Sequence, residues 1–323
     1  MKSSNIGGQA VMEGIMMRHK DKYSIAVRKP DGDIEVKVED YKSVLGKYKI
    51  FQKPVFRGVA GFVDSLVVGT QCLMYSASFF DEEEDEKDKE KKARMSEEEL
   101  SRHKAKQEKQ EKILMYGTTV FSAVMAIVLF MVLPYLIASL LRLAGAGEWL
   151  VTIAESFVKI FIFLGYMLLV SRMREIQRVF MYHGAEHKCI NCVEQGLELN
   201  VENVLKSSRQ HKRCGTSFLL LVMVVSILFH FLFVFVPVMW MRIAARILMV
   251  PIIAGVAYEF IRLAGNSDNQ VVAFLSRPGL ALQKLTTSEP DADMAEVAIA
   301  AVEAVFDWKS YLQENFGKKE QES

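Results

Sequence analysis

Four long apolar segments constrain the fold of this chain more than any other feature. They cover residues 113–141, 149–171, 215–241 and 243–264. Their charged residues are only Glu155, Lys159, Arg246, Glu259 and Arg262. Because about 20 apolar residues let a helix cross ~30 Å of hydrocarbon, each segment is long enough to span a membrane. A single well-mixed soluble core is excluded, and the pattern predicts a mainly α-helical membrane protein with about four transmembrane helices.

Residues 58–80 form a fifth and weaker apolar segment. Asp64, Gln71 and several small residues interrupt it, and a full crossing would place residues 1–57 on the opposite face from the rest of the basic chain. We therefore expect an interfacial or re-entrant helix here.

The basic residues indicate how the predicted spans are oriented. The two short connections between paired spans contribute only Arg142, Glu148 and Arg242, whereas the loop 172–214 and both terminal regions are rich in Lys and Arg. Since basic residues concentrate in cytoplasmic loops, we expect the N-terminus, this loop and the C-terminus in the cytoplasm. The four cysteines are then expected to be reduced thiols or metal ligands.

The remaining segments predict smaller units. Residues 1–57 are expected to form a β-rich cytoplasmic unit, because two β-branched stretches flank Pro30-Asp31-Gly32, a good hairpin signal. Residues 81–112 hold 13 acidic and 10 basic residues, which favours a charged connector helix. Residues 265–323 are expected to form a cytoplasmic helical region.

The near-neutral net charge of +1 gives no support for nucleic-acid binding. The expected partners are the lipid bilayer and either another membrane protein or a second copy of the chain.

The central loop 172–214 carries the residues with the most informative chemistry. His183-Gly184-Ala185-Glu186-His187 matches the H-x-x-E-H pattern of inverted zincins. On a helix the two histidines lie one turn apart, so both could bind one divalent metal ion, with zinc expected. Glu186 could then act as the catalytic general base on a water molecule. The downstream carboxylate that this pattern requires could be Glu259, although pairing of Glu259 with Arg262 is equally compatible.

A second pattern competes for the same metal. Cys189-Ile190-Asn191-Cys192 and His211-Lys212-Arg213-Cys214 have the spacing of a closed zinc knuckle, which would make Cys189 and Cys192 ligands of a second, structural site. A third arrangement draws His183, His187, His211 and Cys214 to one centre. A fourth has no metal, with the histidines in hydrogen bonds. The sequence does not choose among them.

Several long motifs resemble the YqhQ-like family of bacterial multi-span membrane proteins. They cover most of the chain and comprise residues 6–14 with Met16-Met17-Arg18, residues 183–188, His211 with residues 213–217, Tyr258-Glu259, residues 262–265, residues 278–280 and residues 289–291. The family is described as predicted metal-dependent enzymes. The resemblance therefore implies a protein of the bacterial cell (inner) membrane and a metal-dependent activity, without naming a substrate.

Three functions are compatible with these patterns. The first is a membrane-embedded, zinc-dependent hydrolase that acts on a membrane peptide or a lipid headgroup at the cytoplasmic face. The second is a non-enzymatic scaffold or membrane-protein biogenesis factor in which a metal only holds the loop together. The third, favoured least, is a transporter, suggested by the polar residues within the spans, which are Glu155, Lys159, His230, Glu259 and Arg262.

Overall fold

The chain is mostly helical, with a small antiparallel sheet near its N-terminus, as the sequence predicts. A computed structural model describes residues 3–80, 97–236, 238–265, 267 and 269–317. Residues 81–96, the first half of the predicted connector, lie outside the described residues. The chain divides into two compact units, Met1–Phe80 with Gly165–Ser323 and Asp81–Leu164.

The described strands are β1 (Gly7–Val11), β2 (Gly14–His19), β3 (Lys22–Arg28) and β4 (Ile34–Asp40). The described helices, numbered along the chain, are α1 (Phe56–Ala77), α2 (Glu97–Ile127), α3 (Leu133–Leu143), α4 (Glu148–Val170), α5 (Arg174–Glu194), α6 (Val201–Lys206), α7 (Gly215–Leu232), α8 (Met239–Gly265), α9 (Gln270–Thr286), α10 (Ala292–Glu303) and α11 (Trp308–Phe316). A π-helical turn, Val128–Val132, joins α2 to α3.

The sheet is a simple meander in the order β1-β2-β3-β4. The predicted hairpin is confirmed: Arg28 pairs with Ile34, and Gly32 in the turn adopts a φ of 92°, a left-handed conformation that glycine accepts without steric cost. The edge strand β4 is mostly exposed and alternates charged with apolar residues, which discourages pairing with other chains.

Both faces of the sheet are covered, because alternate residues of each strand point to opposite sides. Ile15, Met17 and Ala26 face α5 and α10 in the larger core. Met16 and Ile25 lie on the other face, in a smaller cluster that includes Cys72 of α1. The sheet is therefore sandwiched between α1 on one side and α5 with α10 on the other.

Five helical segments in the described chain are long and apolar enough to cross a membrane. They are Phe56–Ala77, Tyr116–Leu143, Glu148–Val170, Gly215–Phe235 and Trp240–Gly265. The last four correspond to the four predicted spans. The first is the weak segment of the sequence, and its best window has a mean hydropathy of 1.2, the lowest of the five.

The charged connector and the C-terminal region are helical where they are described. Glu97 begins α2, which continues into the first predicted span without a break. In the C-terminal region, α10 starts where the Asp291 carboxylate accepts a hydrogen bond from the Met294 amide at 2.9 Å, an N-cap of the usual kind. The alanine-rich face of α10 then packs on the sheet and on α5.

Candidate metal centre

Helix α5 holds the H-x-x-E-H residues in the interior of the first unit. From Tyr182 to Glu194 nearly every residue of the helix is buried, because this stretch packs against both the sheet and α10. Gly184 permits the loop between α9 and α10 to approach the helix closely, since a Cβ atom at Gly184 would lie 2.0 Å from the Ser288 carbonyl oxygen. The site is thus formed on a rigid helix whose surroundings are closely packed.

Three side chains converge at this point: His183, His187 and Cys214. One ligand atom from each lies within 4.8 Å of the others, and this is the only such cluster of potential metal ligands in the described part of the chain. The Cys214 Sγ is 3.3 Å from the His183 Nε2, and the two imidazole centroids are 4.4 Å apart. Cys214 is the N-cap residue of α7. Its sulfur accepts a hydrogen bond from the Thr216 amide.

Both histidines are oriented by backbone carbonyl groups. The Nδ1 of His183 lies 2.9 Å from the Thr286 oxygen, and the Nδ1 of His187 lies 2.6 Å from the Arg209 oxygen. A carbonyl oxygen can only accept a hydrogen bond, so each Nδ1 carries a proton, which leaves Nε2 as the ring nitrogen that could bind a metal. This is the outer-shell arrangement typical of metal-binding histidines.

Glu186 lies beside the cluster without joining it. One of its carboxylate oxygens is 3.8 Å from the His183 Nε2. Burial raises the pKa of this carboxyl group, and the charge of His183 and the Gly8 amide partly oppose that effect. The edge strand β1 therefore contacts Glu186, the candidate base, directly at Gly8. A Cβ atom at Gly8 would overlap the Glu186 carboxylate.

His211, which the sequence offered as a ligand, faces a different partner. Its Nε2 is 3.5 Å from the Glu194 carboxylate, although its ring centroid lies 5.8 Å from that of His187. Glu194 also binds the Arg213 guanidinium and accepts hydrogen bonds from the Ser4 amide and hydroxyl, both at 2.8 Å. Burial alone would raise the pKa of Glu194, but His211, Arg213 and the Ser4 amide together lower it to about 2.

Cys189 and Cys192 lie apart from the cluster. Both are fully buried in the core shared by α5, the sheet and α10. Burial raises the pKa of the Cys189 thiol well above its usual range and that of Cys192 to about 11, whereas metal ligation requires the thiolate. The structure thus does not bring together the four residues of the predicted zinc knuckle.

Glu259 is also separate from the cluster. Its carboxylate accepts hydrogen bonds from the Arg57 guanidinium at 2.6 and 2.5 Å and from the Val55 amide at 3.2 Å. The sequence offered pairing with Arg262 as an alternative to metal ligation, and the structure shows Arg57, from the first turn of α1, as a hydrogen-bonding partner. Glu259 therefore joins α8 to α1 near the site rather than completing the ligand set.

The cluster opens into a cavity of about 500 Å³. Glu186 and the three potential ligands line it, together with Arg18, Lys20, Tyr41 and Asp64 from the sheet side and α1. Asp64 is held in place by the Tyr41 hydroxyl at 2.5 Å and the Val44 amide at 2.8 Å. A small polar molecule can therefore reach the free side of the cluster.

Sequence reasoning missed the parts of the site that act through the backbone. The Thr286 and Arg209 carbonyl groups and the Gly8 amide carry no signal in residue type. Glu194 had no signal either, because it follows the C-x-x-C pattern as an ordinary helical glutamate. Gly184 and Gly8 are the two residues whose identity could have indicated close approach within the site.

Comparisons with known proteins agree with the resemblance seen in the motifs. A family model described as "Protein of unknown function (DUF1385)" matches residues 53–308. A Bacillus subtilis (strain 168) protein named "Uncharacterized protein YqhQ" is 35% identical over 315 residues, covering 96% of this chain and 94% of that protein. No solved structure matches. The cluster, Glu186 and Glu259 all fall inside the region that the family model matches. The similarity to YqhQ extends over nearly the whole length of the chain. The chain therefore belongs to the DUF1385 family.

Proposed function

We propose that this protein is a membrane-embedded, metal-dependent hydrolase whose centre is formed by His183, His187 and Cys214. The convergence of these three ligand atoms within 4.8 Å, with both imidazoles already oriented by carbonyl groups, is the observation that carries the proposal. The mixture of imidazole and thiolate donors suits zinc. His211 and Glu259 are not needed as ligands, since each has another partner.

The chain's own residues supply the other parts of a hydrolytic site. A bound zinc ion would contribute Lewis acidity and lower the pKa of a water molecule. Glu186 is close enough to take a proton from an attacking water and to return it to the leaving group. Gly8 of β1 packs directly against the Glu186 carboxylate, and His187 and Cys214 are buried.

The number of ligands distinguishes this proposal from a structural role. Structural zinc sites use four protein ligands, whereas catalytic sites use three and keep one position open. Three ligands converge here, and a cavity of about 500 Å³ borders them. Both features favour chemistry over a scaffold in which the metal only fixes the loop 172–214.

The packing of the sheet supports a specific topology. The core contacts between the sheet and α5 require both to lie on one face of the membrane. Three apolar segments, Phe56–Ala77, Tyr116–Leu143 and Glu148–Val170, separate them. We therefore infer an even number of crossings between Asp40 and Arg174.

Helix α1 is the segment that we propose does not cross. Its mean hydropathy of 1.2 compares with 2.6 and 2.0 for the other two segments, and its buried Asp64 is bound by Tyr41 and Val44, just beyond β4. The chain would then dip into the bilayer and return along α1, while four segments cross. With the basic loop in the cytoplasm, both termini are cytoplasmic and the protein belongs to the bacterial inner membrane.

Metal analysis of the purified full-length protein tests the proposal. We expect one zinc ion per chain, lost in His187→Ala and retained in the matched cysteine variant Cys192→Ser. Absence of stoichiometric metal, or an unchanged content in His187→Ala, overturns it.

A second measurement separates the metal site from the chemistry. Glu186→Gln is expected to keep its zinc and to fail in a complementation assay of a strain that lacks the protein. Full complementation by this variant would remove the hydrolytic role and leave the metal site in place.

A further inference from the structure

The candidate centre opens on two sides, and the second opening has a different character from the first. A cavity of about 560 Å³ shares His183, Glu186 and Cys214 with the polar cavity already described. Its other walls include Phe62, Leu66, Phe218, Leu219 and Ile261. The same reactive groups are thus reached from a polar side and from an apolar side.

Five apolar residues of this cavity come from three helices that are apolar enough to enter a membrane, and residues of β1 and α5 complete its lining. Phe62 and Leu66 lie on α1, Phe218 and Leu219 on α7, and Ile261 on α8. The rings of Phe62 and Phe218 are 5.9 Å apart. Leu66 and Leu219 are 55% and 45% exposed, and both lie on helices that are long and apolar enough to cross a membrane.

The polar side carries both cations and carboxylates, and Asp64 and Glu186 are among its lining residues. Arg18, Lys20 and Arg213 line it. Arg213 is engaged by Glu194. Within the described part of the chain Arg18 and Lys20 take part in no ion pair, and the Arg18 guanidinium lies 3.3 Å above the Tyr41 ring. These two cations are suitably placed to attract an anionic group next to the metal ligands.

The geometry points to an anionic lipid as the molecule that occupies this site, with its headgroup beside Arg18 and the metal ligands and one acyl chain in the groove formed by Phe62, Leu66, Phe218, Leu219 and Ile261. This inference names the substrate class for the proposed hydrolase and in that respect rests on the proposed function. An acyl chain needs only an apolar wall. A peptide would also have to satisfy its backbone amides and carbonyls in the apolar groove, and the cations would have no specific role.

Photo-crosslinking of the full-length protein tests the inference. The protein is reconstituted into phosphatidylcholine vesicles that contain phosphatidylglycerol with a diazirine on one acyl chain, and labelled peptides are identified by mass spectrometry. We expect labelling to concentrate on the groove residues and to be competed by unlabelled phosphatidylglycerol but not by extra phosphatidylcholine. Uniform labelling of all exposed apolar helix faces overturns the inference, as does a co-purifying peptide found in the groove.

Matched variants sharpen the result. Leu219→Trp fills the groove and should cause a several-fold loss of labelling there, whereas Leu228→Trp, a 64% exposed leucine of the same helix outside the groove, should label like the wild type. Arg18→Gln should abolish the preference for phosphatidylglycerol, and Arg174→Gln on the surface of α5 should not. Equal effects of the two members of either pair contradict the inference.

Metal analysis of the same protein preparation separates this inference from the proposed function. Labelling of the groove in a protein that never contains zinc would retain the lipid site and reject the metal hydrolase. Stoichiometric zinc with no preferential labelling of the groove would reject the lipid site alone.

Discussion

The Cys214 Sγ lies 3.3 Å from the His183 Nε2, although 31 residues separate them in the chain. Cys214 is also the N-cap of α7, and the positive end of a helix dipole favours negative charge nearby. The sulfur also accepts a hydrogen bond from the Thr216 amide at 3.3 Å. The pair therefore joins the H-x-x-E-H helix to the start of an apolar helix at a single point.

Cobalt substitution provides a direct test of this pair. We expect the full-length protein loaded with Co²⁺ to show a thiolate-to-cobalt charge-transfer band in the near ultraviolet, because Cys214 would be a ligand. The band should vanish in Cys214→Ser and persist in Cys189→Ser, since Cys189 is buried in the core away from the cluster. A band that depends on Cys189 instead would support the knuckle arrangement.

The sequence predicted the fold well where short-range patterns decide it. Apolar length identified the four stronger spans, and Pro30-Asp31-Gly32 identified the β3–β4 hairpin. Contacts between residues that lie far apart in the chain could not be predicted from the sequence. Arg57 and Glu259 are 202 positions apart, and without the fold the nearby Arg262 was the natural partner for Glu259.

The sequence named the three side chains that the structure brings together, but it could not separate them from other residues of the same types. His183, His187 and Cys214 were all named from residue type and spacing. His211 was equally eligible by those criteria, and only the fold shows that its Nε2 faces Glu194. Backbone groups from Arg209 and Thr286 complete the arrangement, and residue type contains no information about them.

Gly184→Ala should destabilise the protein and weaken metal binding. An added Cβ would lie 2.0 Å from the Ser288 carbonyl oxygen, so the loop that follows α9 must move, and that loop begins beside the Thr286 carbonyl that orients His183. Overpacking of this kind costs about 1–3 kcal/mol. The measurement is denaturation in detergent together with zinc affinity.

Gly117→Ala is the matched control for Gly184→Ala. Gly117 also lies within a helix, but a Cβ there meets nothing within 4 Å. The free energy of unfolding should stay the same or rise by less than about 1 kcal/mol. Equal behaviour of the two variants would show that the close approach at Gly184 is unimportant.

Stability should fall in acid through Glu194. Its pKa is lowered from 4.5 to about 2 in the folded protein, so the unfolded chain binds a proton more readily. The stabilisation is therefore complete above pH 4.5 and is lost as the pH falls toward 2. It amounts to at most about 3 kcal/mol. Thermal unfolding measured from pH 7 to pH 3 should show the loss.

Two variants isolate the contribution of Glu194 from that of other carboxylates. Glu194→Gln should unfold at a lower temperature than the wild type at pH 7 and show a flatter dependence on pH, because Arg213 and His211 lose their buried partner. Glu202→Gln removes an exposed carboxylate paired only with Lys206 on the surface, and such pairs contribute little. An unchanged pH dependence in Glu194→Gln would contradict the assignment.

Cysteine labelling tests whether α1 returns to the face from which it enters. The introduced cysteines are Lys42→Cys before α1, Ser78→Cys after it, Lys309→Cys in α11 and Gly147→Cys between α3 and α4, all at exposed positions. The four native cysteines are buried, so the unmodified protein serves as the unlabelled background. A membrane-impermeant maleimide is added to spheroplasts before and after permeabilisation.

The proposed topology, in which α1 does not cross and both termini are cytoplasmic, determines the expected pattern. Lys42→Cys, Ser78→Cys and Lys309→Cys should react only after permeabilisation, and Gly147→Cys should react before it. If α1 crosses the membrane, Lys42→Cys and Ser78→Cys must differ from each other. Since the sheet and α5 share one core, that outcome would also require one of the two more hydrophobic segments, Tyr116–Leu143 or Glu148–Val170, to remain on one side, against their mean hydropathies of 2.6 and 2.0.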